Sequence, residues 1–409
     1  MQRLQLLQPE DRAFYEEACD WLDKHLPPFV AAHRGSERDT DAYLQMLKDW
    51  QAEMASGGWV GVDWPRQWGG RDATGLQKTL LGFALSERKA PPPLWKQPAD
   101  QVGPPLLRYG TPEQQQAFLP AIIRGDWVWC QGFSEPDAGS DLASLKTRAE
   151  PCEGGYLING QKIWTSNAYF ATRMWLLART DSKAPKHHGI SAFILDMKSP
   201  GVTVQPIREI TGRHTGRQLF NQQFNQVFFD DVFVPQFNRV GPENEGWKVC
   251  KTTLVRERTS SHNLDFARNT MRALRRFLDD PLIQATNENP EAVFAERMLQ
   301  VDMTIDGLEE LFQQSLQAIL SGKATGGESS ILKLLGSETR KTAAELALEV
   351  LGPYGQLMGG SPEAFKKGNA GFEFLRSRAC TIGGGTSEIQ RNWIAEHVLG
   401  LPKSSDLAD

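Results

Sequence analysis

The hydrophobic pattern of the chain changes twice and divides it into three segments. Residues 1–126 contain helical patterns separated by proline and glycine, and residues 241–409 return to helical patterns with apolar residues spaced three or four apart. Between them, residues 127–240 alternate short apolar runs with turns, which is typical of β-strands. A helical, then β, then helical order over 409 residues predicts an α+β protein of two or three domains.

Composition and charge exclude several classes of protein. A net charge of −5 gives no sign of a nucleic-acid surface, and no apolar run approaches the roughly 18 residues of a membrane span. The polar N-terminus is unlike a signal peptide, and the five cysteines form no CxxC pair. We therefore expect a cytoplasmic protein with neither a disulfide framework nor a zinc site.

Helices are predicted in the first and third segments. The sequence clearly marks where one of them begins, because Thr111 is a good N-cap and Pro112 suits the first helical position. The predicted helices are 9–33, 39–56, 74–88 and 112–124 in the first segment, and 251–278, 291–321, 328–351, 362–368 and 387–398 in the third.

The middle segment contains three clear strand candidates, at 174–178, 191–196 and 227–235. Residues 153–156 read EGGY and predict a hairpin turn. No helix of useful length fits between residues 127 and 240.

One helical stripe carries an unexpected charge. Between Thr253 and Leu278, a set of residues spaced three or four positions apart falls on one face of a helix. The later part of this stripe is apolar and should pack in a core. Glu257 lies on the continuation of the same face. A glutamate on a buried face needs a partner or a purpose. It could form an ion pair with a neighbouring helix, through Arg376 or Arg378, or it could act as a general base.

Two stretches of the middle segment combine side chains that suit a cofactor. Residues 129–141 read WCQGFSEPDAGSD, whose small and hydroxyl residues let backbone N–H groups approach an anion or a flat heterocycle. Residues 159–167 read NGQKIWTSN and place an aromatic wall next to hydroxyl donors. Taken alone, the first could be a polar loop. The second could be a strand with a hairpin turn at Asn159-Gly160 and a core tryptophan.

A third motif lies near the C-terminus, where residues 378–391 read RACTIGGGTSEIQR. Three consecutive glycines before a helical pattern predict a sharp turn into a helix that begins near Ser387.

Together the three motifs resemble those of the acyl-CoA dehydrogenase family, and the resemblance covers essentially the whole chain. It implies an N-terminal helical domain (1–126), a central β-barrel-like domain (127–240) and a C-terminal four-helix bundle (241–409). It further implies a flavoprotein of lipid metabolism that holds FAD, oxidises an acyl-CoA thioester and passes electrons to an electron-transfer flavoprotein. A homo- or hetero-tetramer is also implied.

The resemblance assigns roles to eight residues of the FAD site. These are Gln131, Phe133 and Ser134 at the flavin ring, Ser140 at the pyrophosphate, Trp164 against the isoalloxazine, Ser166 near N5, and Thr386 and Glu388 at the pyrophosphate and ribose.

The catalytic base is the main departure from the family pattern. Many members have a glutamate at the position of Gly384, whose backbone N–H also helps to bind the thioester oxygen. Gly384 keeps the N–H but loses the base. Other members carry the base on a C-terminal-domain helix, before an arginine, and Glu257-Arg258 matches that dipeptide. We therefore expect Glu257 to be the base, with a pKa raised by burial towards the working pH.

A second departure concerns subunit contacts. Homotetrameric members carry an arginine motif that reaches the FAD of a neighbouring subunit, but residues 274–281 lack its glycine, and Arg275 is the nearest substitute. This pattern resembles bacterial members that act on bulky side chains, dicarboxylates or steroid-derived thioesters, several of which are α₂β₂ heteromers. The alternatives are a non-catalytic FAD-site partner subunit, or a flavin monooxygenase or oxidase of the same fold. No function is predicted for residues 212–220.

Overall fold

The structure is a computed structural model, and the residues that it describes are 7–36, 39–92, 94, 96–212, 224–257, 262–286, 290–320, 327–359, 361–364 and 368–402. The chain divides into two compact units, Met1–Arg256 and Glu257–Asp409. Within the described ranges, no helix is long and apolar enough to cross a membrane.

Helices form the first part of the first unit. The four that the sequence predicts are confirmed to within one residue at each end, and Thr111 caps the last of them, with its side chain accepting the Gln114 N–H at 3.3 Å. The helices before the sheet are α1 (Pro9–Ala32), α2 (Thr40–Ser56), α3 (Gly75–Glu87), α4 (Lys96–Gln101), α5 (Gly103–Tyr109) and α6 (Pro112–Arg124).

The short helices α4 and α5 were not predicted, because their prolines read as breaks in the sequence. In α5, Pro104 and Pro105 occupy the first turn, where a missing N–H costs no hydrogen bond. In this helical part of the first unit, three large side chains are fully buried in the core, those of Trp50, Trp59 and Trp64.

The middle segment forms one sheet, with strands in the order β6-β7-β3-β2-β4-β5-β8 and with β1 parallel to β4. Its longest predicted strands are confirmed as β4, β5 and β7. The strands are β1 (Trp129–Gly132), β2 (Arg148–Cys152), β3 (Gly155–Lys162), β4 (Arg173–Arg179), β5 (Ile190–Asp196), β6 (Val202–Pro206), β7 (Asn225–Pro235) and β8 (Arg239–Val240).

Two glycines in this sheet have different roles. The predicted hairpin turn is confirmed, because Cys152 pairs with Gly155 and Gly154 has a positive φ of 77°. No hairpin turn lies at Asn159-Gly160, contrary to the alternative interpretation of that dipeptide. Gly160 lies inside β3, at a shift in register against β7, and its φ of 140° marks a β-bulge.

Helix α7 (Gly246–Glu257) belongs largely to the first unit and is tied to the sheet there. The indole N–H of Trp175 donates to the buried hydroxyl of Thr253 at 3.2 Å, and that hydroxyl donates to the carbonyl oxygen of Gln101 at 2.8 Å. The chain of hydrogen bonds joins β4, α7 and the end of α4, and it confirms that the Thr253 face of α7 points inward.

In the part that the structure describes, the second unit contains helices and connecting loops but no strand. Its core lies between α8, α10 and α11, and the predicted stripe supplies the buried Ala267, Met271, Leu274 and Leu278. The helices are α8 (His262–Leu278), α9 (Pro281–Thr286), α10 (Pro290–Leu320), α11 (Gly327–Leu351), α12 (Asn369–Cys380) and α13 (Ser387–His397).

The predictions near α12 were wrong. A helix was expected at 362–368, but residues 361–364 form a turn, and residues 365–367 lie outside the described ranges. Helix α12 itself was missed, because its buried residues are Gly371 and Ser377. Close packing on small residues leaves no apolar stripe in the sequence to detect.

Candidate functional site

The two motifs of the middle segment lie side by side in the first unit. The Ile163 N–H, just after β3, donates to the Ser134 carbonyl oxygen, just after β1, at 2.9 Å. Phe133 is buried, whereas Gln131 and Ser134 are half-buried. The fold therefore brings Phe133 and Ser134 close to the segment that carries Trp164 and Ser166, while Gln131 pairs with Trp175 of β4.

A buried ion pair holds the two motifs together. The ammonium of Lys162, which is fully buried, donates to Glu135 Oε1 at 2.8 Å and to the Phe133 carbonyl oxygen at 3.0 Å. Burial lowers the pKa of Lys162 to about 8, against the opposing effect of Glu135. For Glu135, burial would raise the pKa, but Lys162 and the hydrogen bonds from Thr147 and Lys146 outweigh it and hold the pKa below its ordinary value.

Trp164 combines high exposure with a left-handed backbone conformation, and both are unusual for a large aromatic residue. Its side chain is 56% exposed, and its φ of 59° lies in the left-handed region. That conformation costs a bulky residue about 1–3 kcal/mol and persists only where the surroundings enforce it. The indole meets Phe224 edge-on, at 5.7 Å between ring centroids. One indole surface is therefore held out of the core.

The polar groups around Trp164 fit a bound heterocycle. The Thr165 hydroxyl is buried and has no hydrogen-bond partner among the described residues. Within the same ranges, the side chains of Gln131, Ser134 and Ser166 also make no hydrogen bond. A buried hydroxyl is normally hydrogen-bonded. The half-buried side chains are open to an outside partner, so this set of groups suits the edge of a ligand such as a flavin. Ser140 is exposed on the turn beyond these residues.

The glycine motif forms a pinned loop in the second unit. The Gly384 carbonyl oxygen accepts the side-chain amide of Gln390 at 3.0 Å, and the Gly385 carbonyl oxygen accepts the ammonium of Lys333 at 2.5 Å. Gly384 and Gly385 have φ values of 69° and 92°. The Gly384 N–H donates to no acceptor in the described part of the chain, so it can serve a ligand, as the oxyanion role requires.

The start of α13 lies immediately after this loop. The side chain of Thr386 caps the helix by accepting the Ile389 N–H at 3.2 Å, and the Ser387 hydroxyl donates to Glu338 at 2.6 Å. Glu388 is exposed, and hydrogen bonds from its own N–H and from Thr386 lower its pKa. A carboxylate in this first turn suits a ribose hydroxyl better than a pyrophosphate, which it would repel.

Glu257 is the last residue of α7, but its side chain lies outside the described residues, as do Arg258 and the run 213–220. Arg378, one of its two predicted partners, forms an ion pair with Glu345 at 2.6 Å. Arg275 forms an ion pair with Asp302.

Four residues with a role in these contacts were not singled out from the sequence. Lys162 and Glu135 belong to the first two motifs, and the one lysine of the second motif beside the acidic residues of the first could have suggested their pairing. Gln390 lies in the third motif and Lys333 lies on α11, and neither gave such a signal, because polar residues on helices are usually solvated.

The family is decided by comparison with known sequences. The acyl-CoA dehydrogenase N-terminal domain matches residues 8–126, the middle domain matches 130–232 and the C-terminal domain matches 244–399. The chain belongs to the acyl-CoA dehydrogenase family. It is an oxidoreductase acting on CH–CH groups of acyl-CoA, and its cofactor is FAD.

Two curated relatives from Mycobacterium tuberculosis illustrate the likeness. Acyl-CoA dehydrogenase FadE34 is 37% identical over 86% of this chain, and the match spans 46% of FadE34, so this chain corresponds to about half of that relative's length. Acyl-CoA dehydrogenase IpdE1 is 34% identical over 96% of this chain and 98% of its own length.

Two solved structures share the fold. One is described as the Tcur3481-Tcur3483 steroid ACAD, with 27% identity, a TM-score of 0.78, and coverage of 98% of this chain and 100% of that one. The other is the ChsE4-ChsE5 complex from Mycobacterium tuberculosis, with 28% identity, a TM-score of 0.77, and coverage of 97% and 99%.

Proposed function

We propose that this acyl-CoA dehydrogenase converts a bulky acyl-CoA thioester to its trans-2-enoyl-CoA, with Glu257 as the catalytic base. One observation carries the proposal: the loop that supplies the base in many family members is here a run of glycines, in which the Gly384 and Gly385 carbonyl oxygens are pinned and the Gly384 N–H has no acceptor in the described part of the chain. The loop can therefore bind an oxygen but cannot remove a proton.

The removal of the α-proton requires a carboxylate from elsewhere in the chain. Glu257 terminates α7, four residues after the inward-facing Thr253. A spacing of four residues puts both on one face of a helix. A thioester α-proton is weakly acidic, so the base depends on the Gly384 N–H to stabilise the enolate oxygen as charge develops.

We assign the FAD contacts to the eight residues named from the motifs. When bound at these residues, FAD would supply the hydride acceptor for the hydrogen that leaves the β-carbon. The chain's own contribution is to present the indole of Trp164 as a wall, to offer the free hydroxyl of Ser166 at the ring edge, and to leave the amide of Gln131 available. Phe133, Ser134, Ser140, Thr386 and Glu388 complete the assignment.

A bulky acyl group fits the glycine loop. Among the described residues, an added Cβ at Gly383 would meet only the Ala379 carbonyl oxygen, at 3.5 Å, which leaves open the space that a side chain fills in other members. The similarity to a steroid ACAD supports a steroid-derived or branched substrate. The substrate would then be chosen by the space at Gly383, rather than by a charged group.

We propose electron-transfer flavoprotein as the electron acceptor, a tetramer as the assembly, the cytoplasm as the location, and domains at 1–126, 127–240 and 241–409.

A second candidate function is that of an FAD-site partner subunit in a heteromer. The similarity to a two-component complex, ChsE4-ChsE5, favours keeping this alternative.

The visible spectrum of the chain purified alone, followed by anaerobic titration with linear, branched and steroid-type acyl-CoA thioesters, separates the two candidates. Bound flavin that is bleached by one thioester class supports a self-sufficient dehydrogenase and identifies its substrate type. Protein without flavin, or flavin that no thioester reduces, would contradict the proposal and favour the partner-subunit alternative.

A further inference from the structure

The conformation of Trp164 requires an explanation from its neighbours. A left-handed φ is rare for a bulky residue, and the exposed indole has few contacts of its own with which to enforce it. Its edge-on contact with Phe224 restrains the ring but not the main chain. The hydrogen bonds on either side of Trp164 are therefore the features that hold its backbone.

On the C-terminal side, Asn225 fixes the residue that follows Trp164. The Thr165 N–H donates to the Asn225 carbonyl oxygen at 3.0 Å, and the Asn225 side-chain amide donates to the Thr165 carbonyl oxygen at 2.9 Å. Both residues are almost completely buried. Asn225, the first residue of β7, thus bonds to both main-chain polar groups of Thr165, and the Ala168 N–H adds a longer bond of 3.5 Å to the Thr165 carbonyl oxygen.

On the N-terminal side, the buried ion pair fixes the residues before Trp164. Lys162 lies two positions earlier and bonds to Glu135 and to the Phe133 carbonyl oxygen. Between them, the Ile163 N–H bonds to the Ser134 carbonyl oxygen. The Glu135 carboxylate is itself held by the Lys146 and Thr147 N–H groups, at 2.6 and 2.9 Å. The whole first motif therefore braces the backbone on this side.

We propose that Asn225 and the Lys162–Glu135 pair are positioning residues of the FAD site, which hold the strained backbone of Trp164 so that its indole is presented to the flavin. They act through Trp164 and not by contact with FAD. The inference rests on the proposed contact between Trp164 and the flavin, but it assigns a role to residues outside the proposed set of contacts.

The test is a double-mutant cycle read out as FAD affinity of the apoprotein. Asn225→Ala should weaken FAD binding roughly 3- to 10-fold, because one buried hydrogen bond that fixes Trp164 is lost. In the Trp164→Ala background, the same substitution should change FAD affinity less than about twofold, because there is no longer an indole to position. Equal losses in both backgrounds would overturn the inference.

Asn238→Ala is a matched control. The Asn238 side-chain amide also donates to a main-chain carbonyl, that of Ile194, at 2.8 Å in the same sheet. This substitution should lower the melting temperature without coupling to Trp164. If it couples to Trp164 as strongly as Asn225→Ala does, the positioning role is wrong.

A second variant covers the case in which Asn225→Ala does not fold. The double substitution Glu135→Gln with Lys162→Met leaves no buried charge unpaired, and its loss of FAD affinity should again depend on Trp164. The absence of that dependence would overturn the inference. The single variant Trp164→Ala separates this inference from the proposed site: unchanged FAD affinity in it would refute the flavin contact of Trp164 itself.

Discussion

The side-chain amide of Gln390 donates to the carbonyl oxygen of Gly384 at 3.0 Å, from a position that is fully buried at the start of α13. The helix thereby fixes the peptide between Gly384 and Gly385, which directly follows the peptide that carries the Gly384 N–H, and so restrains the loop that presents this N–H to a thioester oxygen. The family's catalytic glutamate is absent at this position, but the main chain is still held as an oxyanion site requires.

Gln390→Leu should slow flavin reduction by roughly tenfold, because a misplaced oxyanion donor loses much of its effect on the transition state. The loss should fall on the rate of reduction more than on substrate affinity. Stopped-flow reduction with a thioester that bleaches the flavin measures both. Asn392→Leu, at an exposed position of the same helix, is the control. Equal behaviour of the two variants would contradict this role for Gln390.

Alanine substitutions at Gly383 and Gly384 should differ in how far they lower the free energy of unfolding. Gly384→Ala places a Cβ on a residue with φ of 69°, which costs about 1–2 kcal/mol of unfolding free energy. The Cβ of Gly383→Ala meets one atom of the described residues, at 3.5 Å, and this variant should stay within about 0.5 kcal/mol of the parent. Urea unfolding measures the difference. A larger loss at Gly383 than at Gly384 would show that the loop has another conformation.

Gly383→Tyr tests the size of the substrate. A tyrosine there would fill the open space and should lower kcat/KM for steroid-type or branched thioesters by at least about tenfold, while linear thioesters are affected less. The ratio of kcat/KM values between the two classes is the measurement. An unchanged ratio would remove Gly383 from the specificity of the pocket.

Removing one partner of the buried pair Lys162–Glu135 should lower the free energy of unfolding more than removing both partners does. Lys162→Met leaves the Glu135 carboxylate buried without its partner, and we expect a loss of about 3–5 kcal/mol. Adding Glu135→Gln should recover part of that loss, since no charge remains to be desolvated. The double variant should also respond differently to acid.

The acid response follows from the lowered pKa of Glu135. Because the folded pKa lies below the ordinary value of 4.5, this carboxylate contributes stability above that pH and loses it as the pH falls through the folded pKa. The parent should therefore lose unfolding free energy more steeply below about pH 4.5 than the double variant does. Parallel curves from urea unfolding at several pH values would contradict this assignment.

Two ion pairs of the second unit provide a contrast in burial. Arg340 and Glu373 lie 2.9 Å apart with side chains 7% and 13% exposed, and Arg340 also stacks over Phe266. Arg340→Met should cost about 3–5 kcal/mol. The exposed pair Arg297–Glu349 should contribute less than about 1 kcal/mol. Thermal unfolding of Arg340→Met and Arg297→Met tests the ranking, and similar losses would refute it.

Much of the fold could be predicted from the sequence, because its signals are local. The capped start of α6 at Thr111 and the hairpin turn at Gly154 are fixed by short-range chemistry and were confirmed. Helix α12 was missed because it packs on Gly371 and Ser377, which carry no apolar signal. The β-bulge at Gly160 depends on the register against β7, which no local pattern encodes.

The site was predicted less completely than the fold. Motif residues such as Phe133 and Trp164 lie within recognisable sequence strings. The groups that position such residues lie far away in sequence: Asn225 is 61 residues from Trp164, and Lys333 is 52 residues from Gly385. Contacts of that kind arise only when the chain folds. The base assignment to Glu257 remains a prediction from spacing and resemblance.

The most direct test of the account is the rate of flavin reduction in Glu257→Gln, with Glu245→Gln as a control that alters an exposed carboxylate next to the same helix. The substitution should leave FAD and acyl-CoA binding intact and slow reduction by about 10²–10⁴-fold or more, because a positioned base contributes that much and nothing at Gly384 replaces it. Near-normal reduction in Glu257→Gln would remove this residue from the mechanism and contradict the central claim.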